Sequence, residues 1–183
     1  MYTKTTIPEP AADTHLKLPP SNWVRRFADM IPKNGSVLDV ACGAGRHSRL
    51  LAAMGFNVTA VDRDVTAFVD PPDNVALIQA DLEIHPWPFD QREFAGVIVT
   101  NYLHRPLLPL IVAAVTRGGM LIYETFAVGN EKFGRPSRAE FLLQPGELLN
   151  TAHDQLEVIA YENIAVNEPK PAMVQRIAAM RIN

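Results

Sequence analysis

The chain has one cysteine, no block of like charge, and no long apolar run. Each absence removes a class of protein. Cys42 alone cannot form an internal disulfide, and a lone thiol fits a reducing compartment. No apolar stretch approaches the ~18 residues a membrane helix needs. The first residues lack a basic region followed by an apolar one, so no secretory signal is expected. The formal net charge is −3 and Lys and Arg are scattered, so the basic face that nucleic acid usually requires is not expected. The five histidines and Cys42 show no zinc-type spacing, and no metal is expected. What remains, with 48% hydrophobic and 20% charged residues, is a globular composition long enough for a sizeable core.

The informative stretch is Val37-Leu38-Asp39-Val40-Ala41-Cys42-Gly43-Ala44-Gly45-Arg46-His47-Ser48, closed by Val58-Thr59-Ala60-Val61-Asp62. It reads as strand, glycine turn, helix and second strand. Gly43 and Gly45 permit a tight bend, and His47, Leu50, Leu51 and Met54 recur at helical spacing up to Gly55. A helix N-terminus presents free N–H groups to a polar ligand. Asp62, at the end of the second strand, can accept both ribose hydroxyls of an adenosine, whether of a dinucleotide or of S-adenosylmethionine. Asp39 separates the two. A carboxylate before the glycine turn repels a pyrophosphate and attracts an ammonium or a sulfonium. Ser48 also replaces the third glycine of a dinucleotide fingerprint.

With these residues the chain resembles the class I S-adenosylmethionine-dependent methyltransferases, whose first motif runs acid-x-G-x-G-x-G. Asp39, Gly43 and Gly45 match it, and Ala41 replaces the first glycine. The continuation Gly45-Arg46-His47-Ser48-Arg49-Leu50 looks most like the small tellurite-resistance-type branch. The resemblance covers roughly residues 20–125 and the remainder by topology only. It implies a doubly wound, Rossmann-like α/β fold. The sheet has seven strands and is mostly parallel, with a C-terminal antiparallel strand. S-adenosyl-L-methionine is then the cofactor, held by Asp39, Ala41, Gly43, Gly45, Asp62, Arg63, Asp81, Leu82 and Thr100. In the family, the place of Asp81 holds an acid bonded to the adenine amino group.

Further along, residues 1–20 are proline- and threonine-rich and read as a flexible arm ahead of one domain over 21–183. Ser21 or Asn22 can cap a helix from Trp23 to about Met30. Between Asp62 and Pro71 there is room for only a stunted helix. Phe94 to Thr100 is continuously apolar, as a strand covered on both faces is. A helix through Leu107, Leu110, Ile111 and Ala114 is expected to end at Arg117-Gly118-Gly119, with a fifth strand over Met120 to Glu124. Thr125 to Gln144 reads as a long loop, and Leu156 to Glu162 and Met173 to Ile182 as two antiparallel strands.

Ligands in such sheets bind at the carboxyl ends of the strands. His104 and Tyr102 are therefore the catalytic candidates, His104 as a general base or as a loop-fixing side chain. Arg105, Glu124, Phe126 and Arg135 are the candidates for binding a substrate, with Arg105 able instead to pair with Glu124 and Arg138 a further anion contact. The Asn-Pro-Pro-Tyr run of base-amine methylating enzymes is absent; Asn101-Tyr102-Leu103-His104 stands there. The expected activity is methyl transfer to a small-molecule acceptor in the cytoplasm. An RNA or protein acceptor, a non-catalytic cofactor-binding module and an oxidoreductase are the rivals.

Overall fold

The computed structural model describes residues 18–33 and 35–182. The expected arm therefore lies, up to residue 17, outside the described residues. The elements in chain order are α1 (Asn22–Phe27), β1 (Ser36–Val40), α2 (Arg46–Ala53), β2 (Asn57–Asp62), β3 (Val75–Gln79), β4 (Phe94–Thr100), α3 (Leu108–Ala113), β5 (Val115–Phe126), α4 (Glu147–Ala152), β6 (Glu157–Val166) and β7 (Ala172–Met180). They form one seven-stranded sheet in the order β3-β2-β1-β4-β5-β7-β6. β1 to β5 are parallel neighbours, and β7 runs antiparallel to both β5 and β6. This is the doubly wound architecture expected from the order of strand and helix signals.

Burial explains the strand patterns. Every residue of β4 is buried, because β1 and β5 flank it and side chains cover both faces. One core cluster joins Leu38, Val40, Val97, Val99, Ile111 and Tyr123 with Leu148 and Ile177. The other joins Trp23, Val24, Phe27 and Ile31 with Val37, Leu51, Ile98 and Ile122. Burial on this scale contributes about 1.5–3 kcal/mol per large apolar side chain. Ser21 caps α1 by accepting the N–H of Trp23 at 3.0 Å, so the expected helix start holds, and a 3₁₀ turn over Ala28–Met30 completes the segment.

Several expectations need correction. No helix lies between Asp62 and Pro71; Asp62 and Asp64 instead accept backbone N–H groups two residues on, which favours turns over helix. The helix after Pro106 stops at Ala113, and β5 starts at Val115 rather than Met120. Arg117, Gly118 and Gly119 lie within β5, where the register against β4 shifts. Gly118 has φ +73° and donates to Arg181 O, while Gly119 O accepts from Arg181 N. The glycines serve a bulge, not a helix end. The segment after β5 is a long loop, as expected, with two 3₁₀ turns at Asn130–Lys132 and Ala139–Phe141, and it is tied down. Ala127 bridges Leu143, and buried Asn130 donates to Pro136 O and accepts from Met173 N, which ties the segment to β7.

Gly119 and Gly118 should respond differently to substitution. A Cβ on Gly119 would lie 2.8 Å, 2.9 Å and 3.0 Å from the carbonyl oxygens of Thr116, Ala95 and Phe94, whereas one on Gly118 meets nothing within 4 Å. Gly119→Ala is expected to lose roughly 2–3 kcal/mol in urea denaturation. Gly118→Ala is expected to lose only the left-handed backbone cost of about 1 kcal/mol. Equal losses would show that Gly119 is not under steric constraint.

Candidate active site

β1 and β4 are neighbours whose chains depart toward opposite halves of the sheet, and a cleft opens where they diverge. Immediately after β1 and β4 the backbone turns through left-handed residues, Ala41 at φ +54° and Asn101 at φ +55°. Non-glycine residues hold this conformation at a cost and cluster at functional sites. The cleft has a volume of about 1090 Å³. Its floor is the turn Ala41–Ala44, and its walls come from the ends of β2 to β5.

The two motif glycines have different tasks. A Cβ on Gly43 would meet nothing within 4 Å, so its backbone is open to the cleft. One on Gly45 would strike the Phe68 ring at 2.2 Å, so Gly45 is a packing residue under the turn and not part of the wall. Asp62 is fixed by the same turn: its Oδ2 accepts the Gly43 N–H at 2.8 Å and its Oδ1 the Asp64 N–H at 3.0 Å. Arg63, Asp81 and Leu82 continue this wall, with Asp81 Oδ1 accepting the Glu83 N–H at 3.0 Å.

Asp39 is buried beneath the turn and does not line the cleft. Its Oδ2 accepts the Ser48 hydroxyl at 2.5 Å. Burial pushes its carboxyl up to about 6, against the lowering effect of Ser48 and Arg46. Thr100, at the end of β4, meets His47. The His47 Nε2 accepts the Ser21 N–H at 3.1 Å, which leaves Nδ1 as the protonated nitrogen, 3.2 Å from Thr100 Oγ1. Burial, then the charges of Arg46 and Arg25, lower His47 to about 3, so it is a neutral imidazole of fixed tautomer. Ser21 also donates its hydroxyl to Glu124 Oε1 at 2.7 Å, and Arg46 donates to Pro19 O at 3.1 Å. The entry to α1 is thereby tied across the edge of the cleft.

Tyr102, Phe126 and Arg135 line the cleft as well. The Tyr102 phenol is raised, by burial first and then by Glu83, Asp81 and Asp62. Besides Asp39 and Gly45, three expected site residues are not brought there. His104 precedes a 3₁₀ turn over Arg105–Leu107 and is absent from the wall. Arg105 is taken up by Glu147, at 2.7 Å and 3.0 Å, and by the carbonyls of Glu140 and Leu142, so it clamps α4 and does not pair with Glu124. Glu124 sits at the end of β5 but is bonded to Ser21 and, at 3.0 Å, to Arg176. Sequence reasoning missed His47, Arg46 and Lys170. His47 looks like one more residue of a helical stripe, and its partners Ser21 and Thr100 are 26 and 53 residues away. Lys170 lies in a hairpin turn, and only the β5–β7 pairing carries it to the cleft.

Residues 37–118 match the model of the family described as a methyltransferase domain. No curated protein matches the chain. Among solved structures, TehB from Haemophilus influenzae aligns with a TM-score of 0.67 at 18% identity, covering 87% of this chain and 61% of that one, so the chain spans less than two thirds of that relative's length. A TehB-like SAM-dependent methyltransferase from Corynebacterium glutamicum gives 0.62 at 19% identity, covering 87% and 86%. The glycopeptide N-methyltransferase MtfA complexed with (S)-adenosyl-L-methionine gives 0.60 at 18% identity, covering 86% and 92%.

The two buried groups beneath the turn predict opposite pH effects on stability. His47 is lowered from 6.5 to about 3, so below pH 6.5 the unfolded chain takes up a proton that the folded chain refuses, and stability falls on acidification. Asp39 is raised from 3.8 to about 6, so its charged form costs stability above pH 6, and that cost disappears as pH falls toward 4. Asp39→Asn should therefore stabilise the protein at pH 7.5, by at most about 3 kcal/mol. The gain should be gone by pH 4, as read from urea midpoints. A gain that does not change with pH would mean that Asp39 is not held charged against its burial.

Proposed function

We propose that the protein transfers the methyl group of S-adenosylmethionine to a small-molecule acceptor, a reading supported by the match of residues 37–118 to the methyltransferase-domain model and by the shared fold. The observation that carries this reading is the Asp62 carboxylate. It is clamped at the open turn by Gly43 and keeps further lone pairs for two ribose hydroxyls. Asp81 and Leu82, on the next strand end, offer an acceptor and an apolar surface to the adenine. Gly43 and its neighbours leave room for the amino-acid end, and Arg46 offers a cation for its carboxylate. Asp39 acts from below through its field, favouring positive charge at the turn. The donor supplies a methyl group on a sulfonium, a leaving group that needs no further activation.

The chain's own contribution is alignment and exclusion of water, in favourable cases worth about 7–11 kcal/mol. Thr100 and Tyr102, at the end of the central strand, are placed to orient the donor's reacting end, with Thr100 held by His47. Neither His47, kept neutral with both ring nitrogens engaged, nor the raised Tyr102 phenol is poised to remove a proton near pH 7. The acceptor in this reading brings its own lone pair at neutral pH, as a thiolate, an aromatic amine or an oxyanion does. The bounded cleft favours a small molecule over a polymer, and the single thiol fits a cytoplasmic setting.

Isothermal titration calorimetry with S-adenosylhomocysteine tests the cofactor. The wild type should bind, and Asp62→Asn should bind about 10- to 100-fold more weakly, as for the loss of charge-assisted hydrogen bonds. No heat with the wild type would end the proposal. Asp39→Asn should weaken S-adenosylmethionine, which carries the sulfonium, more than S-adenosylhomocysteine, which does not. An unchanged ratio of the two affinities would remove Asp39 from cofactor recognition.

A further inference from the structure

Charge is spread unevenly along the cleft. The β2 and β3 ends carry Asp62, Asp81 and Glu83 against one cation, Arg63, while the opposite flank carries Arg135, Arg138 and Lys170 beside Phe126 and Phe141. The register explains the second group. Phe126 of β5 pairs with Val174 of β7, so the turn before β7, with Lys170, stands at the carboxyl edge of the sheet. The segment holding Arg135 and Arg138 folds over the same edge through the Ala127–Leu143 bridge and the Asn130 bonds.

Strands lie about 4.8 Å apart, so β3 to β4 spans roughly 14 Å, which an adenosine with its amino-acid end fills. The flank beyond β5 is then left for the acceptor. Arg138 is paired with Glu140 and stacks over Phe141. Among the described residues Arg135 and Lys170 have no ion-pair partner, so the flank carries uncompensated positive charge in a protein of net charge −3.

We propose that this flank selects the methyl acceptor as a small organic anion, with Arg135 and Lys170 binding its anionic group and Phe126 and Phe141 covering an apolar body. The inference rests on the methyl-donor reading above. Its anionic group is the anchor, and a separate nucleophile on the same molecule accepts the methyl. That atom's lone pair forms the bond to the methyl carbon while the carbon–sulfur bond breaks and its electron pair goes to the donor's sulfur. A thiol reacts as its thiolate, its proton already lost to solvent; where the nucleophile is a neutral amine, its extra proton leaves to solvent after the bond forms.

The test is methyl transfer from S-adenosylmethionine to mercapto- and amino-substituted benzoates and alkanoates, each against the amide with the same nucleophile. The acids should show kcat/KM at least about tenfold above their amides, in line with a charge-assisted contact. Arg135→Gln and Lys170→Gln should each raise KM for the acids severalfold, leave kcat and the amides nearly unchanged, and reduce the salt dependence. Arg117→Gln, which removes an exposed charge at the other end of β5, should have no effect. Amides turned over as well as acids, an acid preference that survives the Arg135→Gln/Lys170→Gln pair, or no acid methylated by a protein that binds S-adenosylhomocysteine would each overturn the inference. Failure to bind S-adenosylhomocysteine would instead overturn the methyl-donor reading.

Discussion

The site depends on one hydrogen bond, from the Gly43 N–H to Asp62 Oδ2 at 2.8 Å. It joins the turn after β1 to the end of β2. Without it the glycine turn would lack a fixed height above the sheet, and the carboxylate would lack a fixed direction. Its neighbours reinforce it: Cys42 N donates to Val61 O at 3.0 Å, and Gly45 packs on Phe68. A carboxylate held by two backbone N–H groups loses little further rotamer freedom when a ligand arrives, which is the physical content of preorganisation.

The same turn carries strain and buried charge. Ala41 and Asn101 hold left-handed backbone at adjacent strand ends, and Asp39 holds its charge in the core with Ser48 as hydrogen-bond partner. Such features cost stability and persist where the surroundings over-determine them. Here the surroundings are β4, buried along its whole length, and the parallel pairing on both sides of β1. A stiff central sheet can carry an unfavourable turn at its edge.

Legibility in the sequence followed locality. The β1–turn–α2–β2 unit could be read from residues 37–62 because each signal, the apolar runs, the glycines and the terminal acid, acts within a few residues of its place. The β5 start could not, since Gly118 and Gly119 carry the same marks at a helix end and at a bulge, and only pairing with β4 and Arg181 distinguishes the two. The site divides in the same way. Asp62 and Asp81 are set by the strands they follow, whereas Arg105 and Glu124 were placed by nearness to strand ends alone. Glu147, 42 residues beyond Arg105, and Arg176, 52 beyond Glu124, take them up. A charged side chain near a site is informative only once its partners are known.

The first helix and the last strand meet in the fold. Trp23 donates its indole N–H to Ile177 O across 154 residues, and the Arg176 guanidinium lies 4.7 Å from the Trp23 ring centroid while bonding Glu124, itself bonded to Ser21. The contacts of α1 with β7 therefore form only after residue 177 has left the ribosome, although its packing on Val37, Leu51, Ile98 and Ile122 can form before that. The glycine turn can form early and locally, but the edge of the cleft closes last, so premature termination before residue 176 would leave a correctly started sheet with an unfinished rim.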